Sequence, residues 1–268
     1  MNIVGRHNDI PVGILGDIHG EFKVIMEKVK IYNLDNTVIF QLGDFNIGFG
    51  HRDPRFERKE KVAVRMLNTF LKKRCIFLYI IRGNHDDPTF FDGKHNYTNI
   101  VFMQDYDCVE VGEYTYLGIG GATSVDRKEN PNFPNLYGKP HPARKPNIDW
   151  WPGVEKVVYD EEKLKDLVGI DVVLTHTCPD FVYPPLLGGT VPKWAEYDPE
   201  LPGELIEERK NVTKIYNKLN ELNYIKFWYF GHFHQTKIEK YQVTEFHLLD
   251  INEFQEVKFP RKKEEDEE

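Results

Sequence analysis

The feature that most constrains the fold of this chain is a repeated unit, in which a short apolar segment runs into a polar turn and then into a helical pattern. Val12–Leu15 is followed by the turn Gly16–Gly20 and by apolar residues at helical spacing from Phe22 to Val29. The next unit pairs Thr37–Leu42 with a predicted helix over Val62–Leu71. Strands that alternate with helices in this way indicate βαβ units and a largely parallel sheet. The apolar face predicted for the second helix consists of Val62, Met66, Thr69 and Phe70.

Three further apolar segments predict strands that also end in polar residues. They are Ile76–Ile81, Asp171–Leu174 and Lys226–Phe230. In parallel sheets ligands lie outside the carboxyl ends of the strands, so we expect the polar residues of all five strand ends to form one site. Other β-like segments would form a second sheet packed on the first, namely Cys108–Val111, Tyr114–Ile119, Gln235–Tyr241 and Val243–Leu249. The predicted fold is therefore α/β, with two packed mixed β-sheets flanked by helices.

The 268 residues predict one domain over 1–260 and a charged tail over 261–268. A net charge of −8 argues against broad binding of duplex nucleic acid. The chain shows neither a signal peptide nor an apolar run of about 20 residues, so we expect a cytoplasmic protein. Cys75 opens an apolar run and is predicted to lie in the core. Two irregular stretches, 130–152 and 179–202, closely follow polar motifs and are interpreted as cleft walls rather than as surface decoration.

Seven polar residues near the strand ends supply oxygen and imidazole donors. They are Asp17, His19, Asp44, Asn84, His176, His232 and His234. This mixture suits Mn, Fe, Zn or Ni better than Mg, which prefers oxygen alone. Seven donors are too many for one ion, so we expect two divalent transition-metal ions about 3.5–4 Å apart that share one carboxylate.

The charge of such a centre favours a phosphate ester as the substrate. Two divalent ions bring +4, whereas the ionised ligands Asp17 and Asp44 bring −2. The excess positive charge would attract the ester and lower the pKa of a bridging water, which would supply hydroxide as the nucleophile.

Five motifs in order resemble the calcineurin-like metallophosphoesterases, and the resemblance covers Ile14 to Leu249. The motifs are Gly16-Asp17-Ile18-His19, Gly43-Asp44, Gly83-Asn84-His85-Asp86, the lone His176, and Gly231-His232-Phe233-His234. The resemblance implies a four-layer fold and a dinuclear site in which Asp44 bridges the ions. It places Asp17, His19 and His234 on one ion, and Asn84, His176 and His232 on the other.

The resemblance also implies a catalytic role for His85, which would face the substrate. Its imidazole would either protonate the leaving oxygen or, as a cation, stabilise charge in the transition state. Gly43-Asp44 continues here as Phe45–Gly48, without the Asp and Arg of the protein Ser/Thr phosphatases, which argues against protein phosphatase activity. Residues 120–127, together with Trp150-Trp151-Pro152 and Glu155, are similar to a subset from bacteria and their phages.

The predicted function is metal-dependent hydrolysis of phosphate monoesters or diesters, on a small molecule, a nucleotide or a nucleic-acid end. The alternatives are a metal-binding scaffold without turnover and a nuclease that acts on single strands. Arg127 and Arg144 could either bind phosphate or be plain surface charges. The remaining histidines are expected to have surface or packing roles, and these are His7, His51, His95, His141 and His247.

Overall fold

The computed structural model describes residues 1–50, 53–133 and 138–258. The predicted tail 261–268 and His51 therefore lie outside the described residues. Twelve strands are described: β1 (Asn2–His7), β2 (Val12–Leu15), β3 (Val38–Gln41), β4 (Phe77–Ile80), β5 (Ile100–Phe102), β6 (Asp107–Val111), β7 (Tyr114–Ile119), β8 (Val172–Thr175), β9 (Phe227–Phe230), β10 (Lys237–Tyr241), β11 (Thr244–Leu248) and β12 (Phe254–Val257). The helices are α1 (Phe22–Ile31), α2 (Pro54–Lys73), α3 (Glu161–Leu164), α4 (Val191–Ala195) and α5 (Leu201–Leu222), and a 3-10 turn spans Pro88–Phe91.

The strands form two mixed sheets. The first has five strands in the order β12-β2-β3-β4-β5, in which β12 is antiparallel to β2 and the others are parallel. The second has seven strands in the order β1-β6-β7-β8-β9-β11-β10. Its centre, β7 to β11, is parallel, while β6 and β10 run antiparallel to their neighbours β7 and β11. The predicted α/β fold with two packed sheets is confirmed.

Alternating side chains of the strands build a four-layer molecule. One face of each sheet contributes to an apolar layer between the sheets, where the rings of Phe40 and Tyr116 stack at 4.6 Å. The opposite face of the five-stranded sheet packs on α1 and α2 through residues such as Ile39. The opposite face of the seven-stranded sheet packs on α5 through Val173 and Trp228. Burial on both faces explains why the central strands are almost continuously apolar in sequence.

Two expectations about the sheets were wrong. The five strands that end in site motifs do not share one sheet, because β8 and β9 lie in the seven-stranded sheet beside the segments assigned to the second sheet. The stretch 179–202 is not entirely irregular, since it contains α4 and the first residues of α5. Helix α5 was missed, as were the edge strands β1, β5 and β12. Pro202 lies in the first turn of α5, where proline is tolerated. In the sequence this proline indicated a loop.

Two expectations about α2 and its end were also wrong. Most of the predicted face is exposed, with Val62 at 47% and Met66 at 63%, although Phe70 is partly buried against the core. The buried residues of the helix include Val64, Leu67 and Leu71. Cys75 is exposed rather than in the core. It follows the helix cap with a φ of +53° in a left-handed turn, which directs its side chain to solvent. None of the described helices is long and apolar enough to cross a membrane.

Candidate metal centre

All seven predicted donors converge where the carboxyl ends of the two sheets meet. They follow β2 (Asp17 and His19), β3 (Asp44), β4 (Asn84), β8 (His176) and β9 (His232 and His234). Within each sheet these strands are parallel neighbours, so their ends lie at the same edge. The five-stranded sheet thus supplies both carboxylates, the amide and one imidazole, and the seven-stranded sheet supplies three imidazoles.

One group of donors consists of Asp17, His19, Asp44 and His234, whose ligand atoms lie within 4.8 Å of one another. The Nε2 atoms of His19 and His234 are 3.0 Å apart, and His234 Nε2 is 3.3 Å from Asp17 Oδ2. Metal–ligand bonds of about 2.0–2.2 Å bring neighbouring ligand atoms to about 3 Å from one another. The group could therefore hold one transition-metal ion.

The other group centres on the buried His176. Its Nδ1–H donates to the carbonyl of Leu42 at 2.6 Å, which leaves Nε2 directed at the other donors. His176 Nε2 is 3.2 Å from Asn84 Oδ1 and 3.2 Å from Asp44 Oδ1. The ring of His232 lies edge-on to that of His176 at 5.0 Å between centroids. Asn84, Asp44 and His176 therefore meet beside the first group, and His176 Nδ1 is also 3.9 Å from Asp17 Oδ1.

Asp44 lies between the two groups. Its Oδ1 faces His176, and its Oδ2 is 3.9 Å from His19 Nδ1. Oδ1 also accepts the backbone N–H of His85 at 2.8 Å. Burial raises the pKa of Asp44, but the neighbouring histidines, His85 and His176 foremost, lower it to well below its usual range. Asp44 is therefore held as a carboxylate between His19 and His176.

The electrostatics of the site favour added positive charge. Burial lowers the pKa of His176, but the carboxylates of Asp44 and Asp17 raise it to a net value of about 10. The hydrogen bond to Asp17 likewise raises the pKa of His234, whereas burial lowers that of His232 to well below its usual range. Two buried carboxylates that draw protons onto neighbouring imidazoles would also attract cations in competition with those protons. The donor chemistry thus fits metal ions.

Glycines and strained turns allow these close approaches. A Cβ on Gly83 would lie 2.1 Å from the amide nitrogen of Asp44, and a Cβ on Gly231 would lie 2.2 Å from Asp17 Oδ1. Both glycines are therefore required by space. Four of the seven donor residues have left-handed backbones, a conformation uncommon outside glycine and concentrated at functional sites. Their φ values are +43° for His19, +52° for Asp44, +69° for His232 and +49° for His234.

Asp86 stabilises two loops of the site through hydrogen bonds to their backbone, and the sequence analysis gave it no role. Its buried carboxylate accepts backbone N–H groups of Gly83 at 2.8 Å, Asn46 at 2.7 Å and Ile47 at 3.1 Å. It therefore ties the loop after β3 to the loop after β4. Burial and the nearby Asp44 raise the pKa of Asp86 to about 7. The motif Gly83-Asn84-His85-Asp86 contained this residue, but a tie between two loops has no signature in local sequence.

A hydrogen-bonded chain fixes the orientation of the Asn84 amide. Glu155 is 1% exposed and accepts from the Ser124 hydroxyl at 2.8 Å, from the Ser124 N–H at 2.9 Å and from Trp150 Nε1 at 3.1 Å. Because the Ser124 O–H donates to Glu155, its oxygen is left to accept from Asn84 Nδ2 at 3.2 Å. Asn84 Oδ1 is then directed at the donor cluster. The resemblance noted for residues 120–127, Trp150-Trp151-Pro152 and Glu155 had assigned these side chains no role.

His85 lies at the mouth of the site and is partly exposed. Its ring stacks on Phe49 with centroids 4.5 Å apart and lies edge-on to His19 at 5.0 Å. Burial lowers the pKa of His85 to about 4, so the imidazole is neutral near pH 7. Its Nε2 lies 2.8 Å from Nη2 of Arg144, within the stretch 130–152 that was predicted to be a cleft wall.

The two arginines left open by the sequence have different surroundings. Arg127 is 3% exposed and pairs at 2.5 Å with both Asp198 and Glu204, so it is neither a surface charge nor directed to the donor cluster. Arg144 borders the cluster through His85. Three of the remaining histidines pair away from it, His7 with Tyr79, His95 with Asp92, and His247 with Glu245. His141 lies 3.6 Å from Asp126, the partner of Arg144.

Comparison with known proteins gives a direct assignment for most of the chain. The family model for calcineurin-like phosphoesterases matches residues 10–236. The match begins before β2 and ends just after His234, so it includes all seven donors. No curated protein matched the chain. The match covers far more than half of the sequence, and its family has the two-sheet fold described above. The chain belongs to the calcineurin-like phosphoesterase family.

Proposed function

We propose that this protein hydrolyses phosphate monoesters or diesters and uses two divalent transition-metal ions, Mn, Fe, Zn or Ni. The observation that carries the proposal is the position of Asp44, whose Oδ2 faces His19 and whose Oδ1 faces His176. Family membership supports phosphoester chemistry. Asp17, His19 and His234 would hold one ion, Asn84, His176 and His232 the other, and Asp44 both.

The bound ions would stabilise negative charge on the phosphoryl oxygens and lower the pKa of a water molecule that attacks phosphorus. The side chains around them have separate tasks. The carboxylates of Asp17 and Asp44 offset part of the added charge. The chain from Asn84 to Glu155 fixes the amide, and the Leu42 carbonyl fixes the tautomer of His176. These contacts organise the site before the substrate binds.

His85 is proposed as the proton donor to the leaving oxygen. Burial lowers the pKa of this ring to about 4, so the imidazolium that donates the proton would form only where an anionic phosphoryl group beside the ring raises that pKa. While Arg144 donates to Nε2, the proton of the neutral ring resides on Nδ1. Stacking on Phe49 holds the ring plane. Proton transfer to the leaving group is typically worth about 10²–10⁴ in rate.

The test starts from protein stripped of metal and reloaded separately with Mn, Zn, Fe, Ni or Mg. Each form is assayed against phosphate monoesters, diesters and single-stranded oligonucleotides, and its metal content is measured. We expect close to two transition-metal ions per chain, hydrolysis of small esters and its loss on chelation. Full activity with a single ion would contradict the dinuclear site. Two bound ions without turnover of any ester would favour the scaffold, and cleavage of oligonucleotides alone would favour the nuclease.

The cytoplasmic location and the choice among a small molecule, a nucleotide and a nucleic-acid end stay predictions. Cell fractionation tests the first, and the substrate panel above tests the second. The net charge of −8 remains the reason to expect no broad binding of duplex nucleic acid. A shift of labelled duplex by the protein at physiological salt would contradict that expectation.

A further inference from the structure

Arg144 is built into the mouth of the site although it lies in a long irregular stretch. Its side chain is only 8% exposed. Nη2 lies 2.6 Å from Asp126 Oδ1, and Nη1 donates to the carbonyl of Asp149 at 3.0 Å. The guanidinium also lies over the ring of Phe49, 5.1 Å from its centroid. An ion pair, a carbonyl and an aromatic face therefore fix the guanidinium in one orientation.

The remaining contact of this guanidinium points toward the donor cluster. Nη2 donates to His85 Nε2 at 2.8 Å, and the ring of His85 lies against that of His19, one of the seven donors. A guanidinium only donates hydrogen bonds, so it presents N–H groups and positive charge to whatever occupies the adjacent space. A neutral imidazole nitrogen is a weaker partner for it than an anionic oxygen. The contact with His85 is therefore one that a phosphoryl oxygen would replace.

We propose that Arg144 binds a non-reacting oxygen of the substrate phosphoryl group, and that Asp126 and Phe49 are positioning residues that hold its guanidinium. The proposal rests on the proposed function for the identity of the substrate. The planar fork of arginine matches phosphate geometry, and its surroundings keep it oriented before binding. If Arg144 donated its N–H to the phosphate instead of to His85, Nε2 of His85 would lose that hydrogen bond when substrate is bound. Arg144 would thus couple phosphate binding to the freedom of the proposed proton donor.

The experiment measures binding of inorganic phosphate to metal-loaded protein by calorimetry, alongside KM and kcat. Arg144→Gln is expected to weaken phosphate binding and raise KM by about 10- to 100-fold. Arg144→Lys, which keeps the charge but not the fork, is expected to fall between Gln and the wild type. Asp126→Asn should weaken binding by less than Arg144→Gln, because it loosens the guanidinium without removing it. Arg6→Gln removes the same charge from an exposed pair with Glu110 and should leave affinity and KM unchanged.

Each result decides between phosphate binding and a structural role. Wild-type phosphate affinity in both Arg144 variants, or no phosphate binding by the wild-type protein, overturns the proposal. So does a loss in Arg144→Gln that is explained by a lower metal content or a lower thermal midpoint while Arg144→Lys binds normally. Phosphate binding that depends on Arg144 in a protein that hydrolyses no ester would support this inference and contradict the proposed function. The two can therefore fail separately.

Discussion

Asp44 contacts more members of the donor cluster and its surroundings than its neighbour Asn84 does. It faces His19 with one oxygen and His176 with the other, and it also accepts the His85 N–H. Asn84, in contrast, contacts only the second group, through its Oδ1. A group shared by two ions offsets charge on both, whereas a terminal amide contributes no charge. The two side chains should therefore differ in how much their loss harms the reaction.

We predict that Asp44→Asn lowers kcat/KM by more than about 100-fold, and that Asn84→Ala has a smaller effect. Asparagine keeps the size of Asp44 and an oxygen for the His85 N–H, so the loss would report the missing charge. Metal content measured beside the rates is the control. An Asp44→Asn protein that holds two ions and turns over normally would show that the bridge is assigned to the wrong residue.

His85 gives a second prediction at this scale. If the imidazolium of His85 donates a proton, His85→Asn should lower hydrolysis of alkyl esters by about 10²–10⁴, because alkoxides leave poorly without protonation. Nitrophenyl esters, whose phenolates need little protonation, should be nearly spared. Equal losses on both esters would instead indicate an electrostatic role. Loss of a metal ion in the variant would contradict the assignment, because His85 is not among the proposed ligands.

The residues that sequence predicted best are those whose positions follow from strand ends. Asp17, Asp44 and His176 each lie within three residues of the end of a buried strand, so the end of the strand places the side chain. Ser124 was given no role, and Arg144 was left open between phosphate binding and surface charge, because their partners Asn84 and His85 lie 40 and 59 positions away. Their loops are placed by tertiary contacts, and local sequence holds no periodicity that would reveal such contacts.

At the level of elements, the end of α2 carries a residue in an unfavourable conformation. The N–H of Ile76 bonds to Leu71 O, the N–H of Cys75 bonds to Lys72 O, and the φ of Cys75 is +53°. This is the helix-ending arrangement in which glycine is usual, because a Cβ disfavours the left-handed backbone. An apolar run beginning at position 75 looked like a core segment in sequence, whereas the buried part begins at Ile76.

We predict that Cys75→Gly stabilises the protein by about 1 kcal/mol. The side chain is exposed, so little packing is lost. Lys73→Gly is the matched control, since it places glycine inside the last turn of α2 and should destabilise the protein by a similar amount. Urea unfolding measures both. A loss of stability in Cys75→Gly would mean that the cysteine makes packing contacts that outweigh the relief of backbone strain.

Helix α5 carries a buried acid that makes stability depend on pH. Glu208 is 2% exposed and accepts from the hydroxyl of Thr123 at 2.6 Å. Burial raises its pKa from the ordinary value of 4.5 to about 7. The folded protein therefore binds this proton more tightly than the unfolded chain does. The stability that Glu208 contributes is complete below about pH 4.5 and is lost as pH rises through about 7.

We predict that the free energy of unfolding of Glu208→Gln, relative to that of the wild type, rises by up to about 3 kcal/mol from pH 5 to pH 8. Glutamine keeps the shape of the side chain without acquiring a charge. Urea unfolding at both pH values gives the difference. Glu207→Gln, on the exposed side of the same helix, is the control and should differ from the wild type by the same small amount at both pH values. A parallel pH dependence of Glu208→Gln and the wild type would show that Glu208 does not titrate in this range.

The elements themselves were predicted more reliably than their arrangement. Apolar segments with clear ends gave β2 and β7 with their observed bounds. The sharing of strands between the sheets was not predictable in the same way, because β8 pairs with β7 across a gap of more than 50 residues. Pairing at that distance depends on how the whole chain packs. Helix α5 was missed because its first turn carries a proline and its buried face includes the charged Glu208 and Arg209.

At the scale of the whole molecule, the two sheets are joined in two ways. Most of the interface between them is an apolar layer that includes Phe40 and Tyr116. At the carboxyl ends of the strands this layer gives way to the polar donors, with both carboxylates from one sheet and three imidazoles from the other. Ions held there would link the sheets at the edge where apolar packing stops. Metal binding and folding should therefore be thermodynamically coupled.

The last prediction tests that coupling without an assay of activity. A ligand that binds only the folded state at about 100 times its Kd adds about 2.7 kcal/mol, which for a chain of this size raises the thermal midpoint by about 5–10 °C per ion. We expect Mn to raise the midpoint of stripped wild-type protein, and His234→Ala to lose about half of that rise because only one group is damaged. His247→Ala, which removes an imidazole paired with Glu245 outside the donor cluster, should retain the full rise. Amide exchange should slow most in the loops after β3 and β8, which approach each other from different sheets. A midpoint insensitive to Mn, or an equal loss in His247→Ala, would show that the donor cluster does not join the sheets through bound metal.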